Sequence, residues 1–419
     1  MAKKHFIIVG RTSPAIAQSI TQQFGCFDEA ASGLLIDRPC NVFQSRFGTF
    51  GDGESIFELF VDGKLADHPI EQRLSEAQKQ EIEQNLRGSH VTIVHSMSGD
   101  NSSSRANSLA HGIADLKQVY GVESISLIAP QLPYMRNDRS FSKKTEDGET
   151  VKQRNAVACL RYAQYLEFVG VDHVVNFEPH SRDGVKHYTN VFGDNAVFNN
   201  TGAFFAEDFK ASHSIFTADN RLAVCVGAPD GLNKPDDFGI HRAKSFAMTL
   251  FAGTAFGTFS HKTPIEQIPC MFGIHKQRVN EKETKVVRFA GDVKGKHAVI
   301  VDDIFSSGGT TIEAAKSIKE NGAIKVTAIA THAVLVNGAL QKMLDSPYID
   351  ELWMTDTIPS AFEKAEEYTN HPKLRVKTVA PLIAKEIQKN HDERFDCRWA
   401  YAHARKDVLA PAAPTPQLG

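Results

Sequence analysis

The sequence has almost no net charge to offer. Its 47 Lys+Arg against 50 Asp+Glu leave −3, so no general field draws it to nucleic acid or to an anionic membrane. It lacks any uninterrupted apolar run near the roughly 20 residues of a membrane span. The opening MAKKHFIIVGRTSP is basic, but its apolar run is too short for a secretory signal. Cysteine is sparse and scattered, at 26, 40, 159, 225, 270 and 397, never in CxxC spacing. That pattern suits reduced thiols and speaks against a disulfide or zinc framework. The expectation is a cytoplasmic protein with no nucleic-acid or membrane partner.

What is present is alternation. Short β-branched runs (6–9, 91–94, 125–129, 174–177) are separated by helical patterns beginning near Ser13-Pro14, at 108–120 and at 154–169. A strand pair spans 47–61, interrupted by Gly51-Asp52-Gly53-Glu54. The alternation restarts with strands at 222–226, 298–301, 326–330 and 351–354 and helices at 242–250 and 310–321. Such spacing predicts βαβ units and parallel sheets. At 419 residues there is room for two domains. The expected fold class is α/β, with residues 1–193 and 194–393 as tandem domains and 394–419 as a tail. Its last ten residues, APAAPTPQLG, are too rich in Pro and Ala to pack. The polar stretch 141–152 reads as a surface loop.

The stretch with most chemistry is VIVDDIFSSGGTTIEAAKSIKENGA, 299–323. A buried strand is expected to end at Asp302-Asp303. Ser306-Ser307-Gly308-Gly309-Thr310 follows, then a helix with Ile312, Ala315 and Ile318 on one side. Thr310 and Glu313 have capping-box spacing, and Gly322 is placed to end the helix. Glycines let backbone N–H groups turn inward, and the helix start adds positive potential, so the loop suits a phosphate. Two aspartates beside it would repel phosphate, but they accept hydrogen bonds from vicinal hydroxyls or help to place a metal. Together they predict a site for a ribose 5-phosphate group. An ordinary strand–turn–helix with capping residues is the plainer alternative.

This stretch resembles the phosphoribosyl-diphosphate (PRPP) binding motif of type I phosphoribosyltransferases and PRPP synthetases. Four further stretches resemble the synthetases alone: Phe50-Gly51-Asp52-Gly53-Glu54, Tyr134 to Arg139 (YMRNDR), Phe177-Glu178-Pro179-His180 and His275-Lys276-Gln277-Arg278. Thr331-His332 and Asp356-Thr357-Ile358-Pro359 also fit, so the resemblance runs in order from about His5 to about Glu386. It implies two tandem phosphoribosyltransferase-like domains and transfer of a diphosphoryl group from ATP to the C1 hydroxyl of ribose 5-phosphate, giving PRPP and AMP.

The same resemblance implies residue roles. Phe50, Asp52 and Glu54 would contact the ATP of a neighbouring subunit, and Arg136 and Asp138 would also bind ATP. His180 and Asp230 would hold Mg²⁺. Lys276 and Arg278 would be catalytic, closing as a lid over the triphosphate. Asp302 and Asp303 would take the ribose diol, and Ser306, Ser307, Gly308, Gly309, Thr310 and Thr311 the phosphate. Homodimers assembled into hexamers are implied too. Taken singly, Lys276 and Arg278 read equally as solvated charge, His180 as a structural histidine and Asp230 as a turn former.

The chain departs from the family pattern. The usual D-T-G-G-T becomes Ser306-Ser307-Gly308-Gly309-Thr310, and the G-G-x-x-R-A after Asp230 is spread over GLNKPDDFGIHRA, keeping Arg242 and Ala243. Extra segments fall at 26–40, 61–81, 141–152 and 246–271. A site enlarged for ADP-ribose, making its pyrophosphate by the same reaction, is the alternative. A PRPP-consuming transferase and a non-catalytic associated subunit are more distant ones.

Overall fold

In the computed structural model of the chain, the described residues are 5–10, 12–24, 34–36, 42–49, 55–61, 76–98, 102–140, 142–144, 150–152, 156–229, 238–278, 284–336, 338–368 and 370–396. The first half opens with β1 (His5–Val9), α1 (Pro14–Phe24), β2 (Leu34–Ile36), β3 (Val42–Thr49) and β4 (Ser55–Val61). Next come α2 (Glu76–Leu86), β5 (His90–Val94), α3 (Ser102–Gln118) and β6 (Ser124–Ala129). A small hairpin, β7 (Ser142–Lys144) with β8 (Thr150–Lys152), precedes α4 (Ala158–Val169), β9 (His173–Phe177), α5 (Arg182–Phe192) and β10 (Ala196–Asn199).

These strands form one eight-stranded sheet in the order β10-β9-β6-β5-β1-β2-β3-β4, with β7-β8 apart. From β10 to β1 the pairing is parallel, and from β1 to β4 antiparallel. The inner parallel strands β5, β6 and β9 are buried almost along their length, as a sheet covered on both faces requires. The 47–61 strand pair is the β3–β4 hairpin, whose last pair is Thr49 with Ser55.

The second half runs α6 (Gly202–Ser212), β11 (Val224–Ala228), α7 (Phe238–Leu250), β12 (Met271–Arg278), β13 (Thr284–Ala290), β14 (His297–Phe305), α8 (Gly309–Glu320), β15 (Lys325–Ala333), α9 (Ala339–Leu344), β16 (Glu351–Thr355), α10 (Pro359–Glu366), β17 (Leu374–Lys377) and α11 (Ala380–Asp396). Its seven-stranded sheet has the order β13-β12-β11-β14-β15-β16-β17. All its pairs are parallel except the β12–β13 hairpin. The molecule is thus α/β with two mainly parallel sheets, each flanked by helices.

Several expectations need correction. The strand carrying the aspartates does not stop at Asp302-Asp303. It continues to Phe305, because β15 goes on pairing with it as far as Phe305–Ala333. The α8 N-cap is Gly308 with no side-chain cap, so Thr310 and Glu313 lie inside the helix and form no capping box. The polar stretch 141–152 contains the β7–β8 pair rather than only loop. His275–Arg278 belongs to β12 and pairs with Thr284–Arg288, so its backbone is β-ribbon and not loop. The extra segment 246–271 packs into the second sheet's core through Phe246, Leu250, Phe251, Ile265, Ile268 and Cys270.

The halves interlock. β10 adds to the first sheet, so that sheet extends past the 193/194 division expected from the sequence. Helix α11 returns to cover the first sheet, burying Ile383 and Ile387 with Ile7, Ile16, Ile20 and Val175. Asp356, fully buried, accepts from Ser13 Oγ at 2.6 Å and from the Val379 N–H at 2.9 Å. Ser96 Oγ donates to Thr357 O at 2.7 Å. The D-T-I-P segment therefore clasps the two sheets together. Cys159, Cys225 and Cys270 are free and buried, with burial pushing each thiol up to about 12.

Candidate active site

The carboxyl ends of β6, β9, β14 and β15 meet at a cavity of about 190 Å³ lined by residues from both halves, among them Arg136, His180 and Asp303. Open α/β sheets bind ligands in crevices at such strand ends. Three site residues separated widely in sequence therefore converge.

The convergence is held by charge. His180 Nδ1 lies 2.6 Å from Asp303 Oδ2. Arg242, from α7, donates through Nε to Glu178 Oε1 at 2.8 Å and through Nη2 to Pro179 O at 3.0 Å and His180 O at 3.3 Å. Its Nη1 is 3.5 Å from Asp303 Oδ1. Both Arg242 and Glu178 are almost wholly buried, at 3% and 1% exposure. Charges so far from water persist only when paired.

Glu178 also adopts the left-handed backbone, φ 48°, which costs a non-glycine residue about 1–2 kcal/mol. Its surroundings over-determine it. The Thr201 N–H and Oγ1 donate to Oε2 at 2.9 and 3.0 Å, and the Glu178 N–H donates to Asn199 O at 2.7 Å. His332 Nε2 sits 3.0 Å from Phe177 O and 3.1 Å from Glu178 O, while Nδ1 is 3.0 Å from Thr357 Oγ1. Burial pushes the His332 imidazole down to about 4, so it is neutral, with its proton toward the carbonyls. The 177–180 turn is a fixed platform that presents His180.

The aspartate pair is split by its surroundings. Burial, then the neighbouring Asp303 charge, pushes Asp302 up to about 7. Burial acts on Asp303 in the same sense, but the Arg242 guanidinium and the His180 hydrogen bond outweigh it and hold that carboxyl well below the usual range. For His180, the Asp303 bond outweighs burial and raises the imidazole. Asp302 Oδ1 accepts from the Asp303 N–H at 2.9 Å.

Beyond β14 the chain turns at Gly308 into α8. Gly308 has φ 74°, and a Cβ there would fall 2.6 Å from Met343 Cγ. Only glycine lets this turn rest so closely on α9. No acidic residue occupies the first turn of α8, which leaves its positive end for an anion. Ser307 and Thr310 are exposed, Ser306 half-buried and Thr311 buried.

Other expected site residues fall differently. Arg136 is exposed at the cavity mouth. Asp138 is 4% exposed and turned into the protein, accepting from Ser181 Oγ, the N-cap of α5. Lys276 and Arg278 lie on β12, and their side chains are outside the description. Phe50, Asp52, Glu54 and Asp230 lie outside the described residues. Sequence reasoning gave no site role to Glu178, Thr201 or Arg242. The one available signal was that Arg242 keeps its place in the family pattern despite the longer loop before it.

A family model described as "Phosphoribosyl synthetase-associated domain" matches residues 262–396. A "Ribose-phosphate pyrophosphokinase" of Caldanaerobacter subterraneus subsp. tengcongensis is 26% identical over 386 residues, covering 92% of this chain and 94% of its own. The protein of the same name from Ralstonia nicotianae is 28% identical over 314 residues, covering 75% and 84%. In fold, the chain resembles the crystal structure of phosphoribosylpyrophosphate synthetase from Mycobacterium smegmatis, with a TM-score of 0.64 over 93% of this chain and 100% of that one at 21% identity. The chain is thus similar, nearly end to end, to ribose-phosphate pyrophosphokinases and shares the fold of a phosphoribosylpyrophosphate synthetase.

Proposed function

We propose that the protein transfers the β,γ-diphosphoryl group of ATP to the C1 hydroxyl of ribose 5-phosphate, giving PRPP and AMP. The observation that carries this reading is that Asp303, on the strand that leads into the Gly308 turn and α8, lines one cavity with Arg136 and His180. A donor nucleotide and a ribose phosphate then lie side by side. The hydroxyl oxygen attacks the β-phosphorus and gives up its proton to solvent, the bond to the α–β bridging oxygen breaks, and AMP departs with that oxygen.

No protein nucleophile is needed, because such transfers run on positioning and electrostatics. The turn at 306–311 holds the 5-phosphate through backbone N–H groups. Asp302 and Asp303 accept from the ribose hydroxyls. Lys276 and Arg278, at the end of β12, meet the charge that gathers on the transferred group and on AMP.

Mg²⁺ is the cation this chemistry calls for, and the described donors fit it. Asp303 fixes the His180 ring through Nδ1, leaving Nε2 to ligate, as in carboxylate–histidine–metal arrangements. Asp302 supplies a hard carboxylate oxygen. Asp230 is the further ligand on this reading. When bound, the ion neutralises and orients the polyphosphate.

ADP-ribose is the second acceptor to weigh. Ser306 stands where the family pattern has Asp, leaving less negative charge and more room beside the phosphate. Against this, the segment 246–271 is spent on the core, and none of its residues lines the described cavity. Measuring kcat/KM for both acceptors tests the choice. Ribose 5-phosphate is expected to be preferred. A preference for ADP-ribose by about tenfold, worth 1.4 kcal/mol, replaces it.

A further inference from the structure

The cavity contains two acceptors that the reading above leaves unused. Asn176, at the carboxyl end of β9, is 1% exposed. Its Nδ2 donates to Ala129 O at 3.1 Å and to Pro130 O at 3.4 Å. Two carbonyls on one nitrogen fix the orientation of the amide, since a flipped group would set three oxygens together. The Oδ1 atom is buried without a hydrogen-bond partner, and so is Oε1 of Gln131, just beyond β6. Both residues line the same cavity as Arg136 and Asp303. Native proteins seldom leave a buried amide oxygen unpaired, and an unpaired one in a cavity points to a missing donor.

The chemistry of that donor can be narrowed. Phosphate oxygens at neutral pH bring only acceptors and leave both amide oxygens as they are. Hydroxyl and N–H groups satisfy them. Of the substrates in the reading above, ATP carries both kinds, on its ribose and on its adenine. We propose that Asn176 and Gln131 select the nucleoside part of ATP, each amide oxygen accepting a hydrogen bond from a ribose hydroxyl or from the exocyclic amine. The inference rests on the reading of the protein as an ATP-using diphosphotransferase, and it adds two neutral side chains to the residues expected to contact ATP.

A cycle of binding measurements tests it. Calorimetric affinities with Mg²⁺ present are compared for ATP, 2′-deoxy-ATP, 3′-deoxy-ATP and purine riboside triphosphate. Each is titrated into the full-length wild type, Gln131→Leu and Asn176→Ser. The wild type is expected to lose at least about fivefold in affinity for an analogue that lacks the donor, because a buried acceptor is left unpaired. At least one variant should bind ATP more weakly and lose that discrimination. The carbonyls that Asn176→Ser leaves unpaired are the same with every ligand and cancel in the comparison. If that variant does not fold, Gln131→Leu, at a partly exposed position, carries the test alone. Equal discrimination in wild type and variants, or none in the wild type, overturns the proposal while leaving ATP as substrate. Failure of ATP itself to bind overturns both this proposal and the functional reading beneath it.

Discussion

At the scale of single residues, the site depends on a charge pair that no local pattern announces. Arg242 and Glu178 lie 64 residues apart, on elements of different halves, and neither looks unusual in its own segment. Arg242→Met keeps the length of the side chain but leaves Glu178 and Asp303 buried without their cation. Breaking a buried pair in this way costs about 3–5 kcal/mol, and urea unfolding should show it. A loss below about 1 kcal/mol, the range of exposed pairs, would mean that the pair is solvated in solution. The two aspartates were legible from their place beside a glycine turn. Their opposite environments were not, because His180 and Arg242 arrive from distant segments. Asp138 shows the reverse case: its motif suggested a ligand contact, yet the backbone turns it toward the α5 N-cap.

At the scale of elements, strands were the easiest to read, because parallel strands covered on both faces appear as short β-branched runs. Their ends were harder. β14 runs past its aspartates because β15 keeps a partner available, information that lies outside the segment itself. The capping-box pattern at Thr310 and Glu313 was overridden by Gly308, whose left-handed backbone starts the helix earlier. The β7–β8 hairpin escaped notice because its polar residues carry no apolar alternation. Gly308 gives the element-scale prediction. Gly308→Ala places a Cβ 2.6 Å from Met343 Cγ on a φ of 74°. The loop must shift, so KM for the ribose phosphate should rise at least about tenfold, as when a backbone anion cradle loses its aim. Stability should fall only by about 1 kcal/mol, the usual glycine-to-alanine penalty at positive φ. An unchanged KM would remove the loop from phosphate binding.

For the whole molecule, the expected pair of α/β halves is present, but the chain knits them together through β10, the Asp356 clasp and the returning α11. Among the described residues no helix is long and apolar enough to cross a membrane. Stability should depend on pH through groups far from the crevice. Burial, aided by Lys325 and His213, pushes His297 down to about 4. An unfolded histidine titrates near 6.5, so between those values the unfolded chain binds the extra proton and stability drops as the pH is lowered, by up to about 1.4 kcal/mol per unit. Glu351 is subject to burial, but its Lys325 hydrogen bond prevails and holds it at about 2. Its contribution is complete above about 4.3, the unfolded value, and fades as pH falls further. His297→Gln should flatten the slope of unfolding free energy between pH 6.5 and 4.5. An unaltered slope would assign the loss to other groups. The central claim, that the crevice directs attack on the β-phosphorus of ATP, is tested most directly by phosphorus NMR of the products formed from ATP, Mg²⁺ and ribose 5-phosphate. The account predicts AMP and a C1 diphosphate in equal amounts. ADP with a C1 monophosphate, which marks attack at the γ-phosphorus, would contradict it.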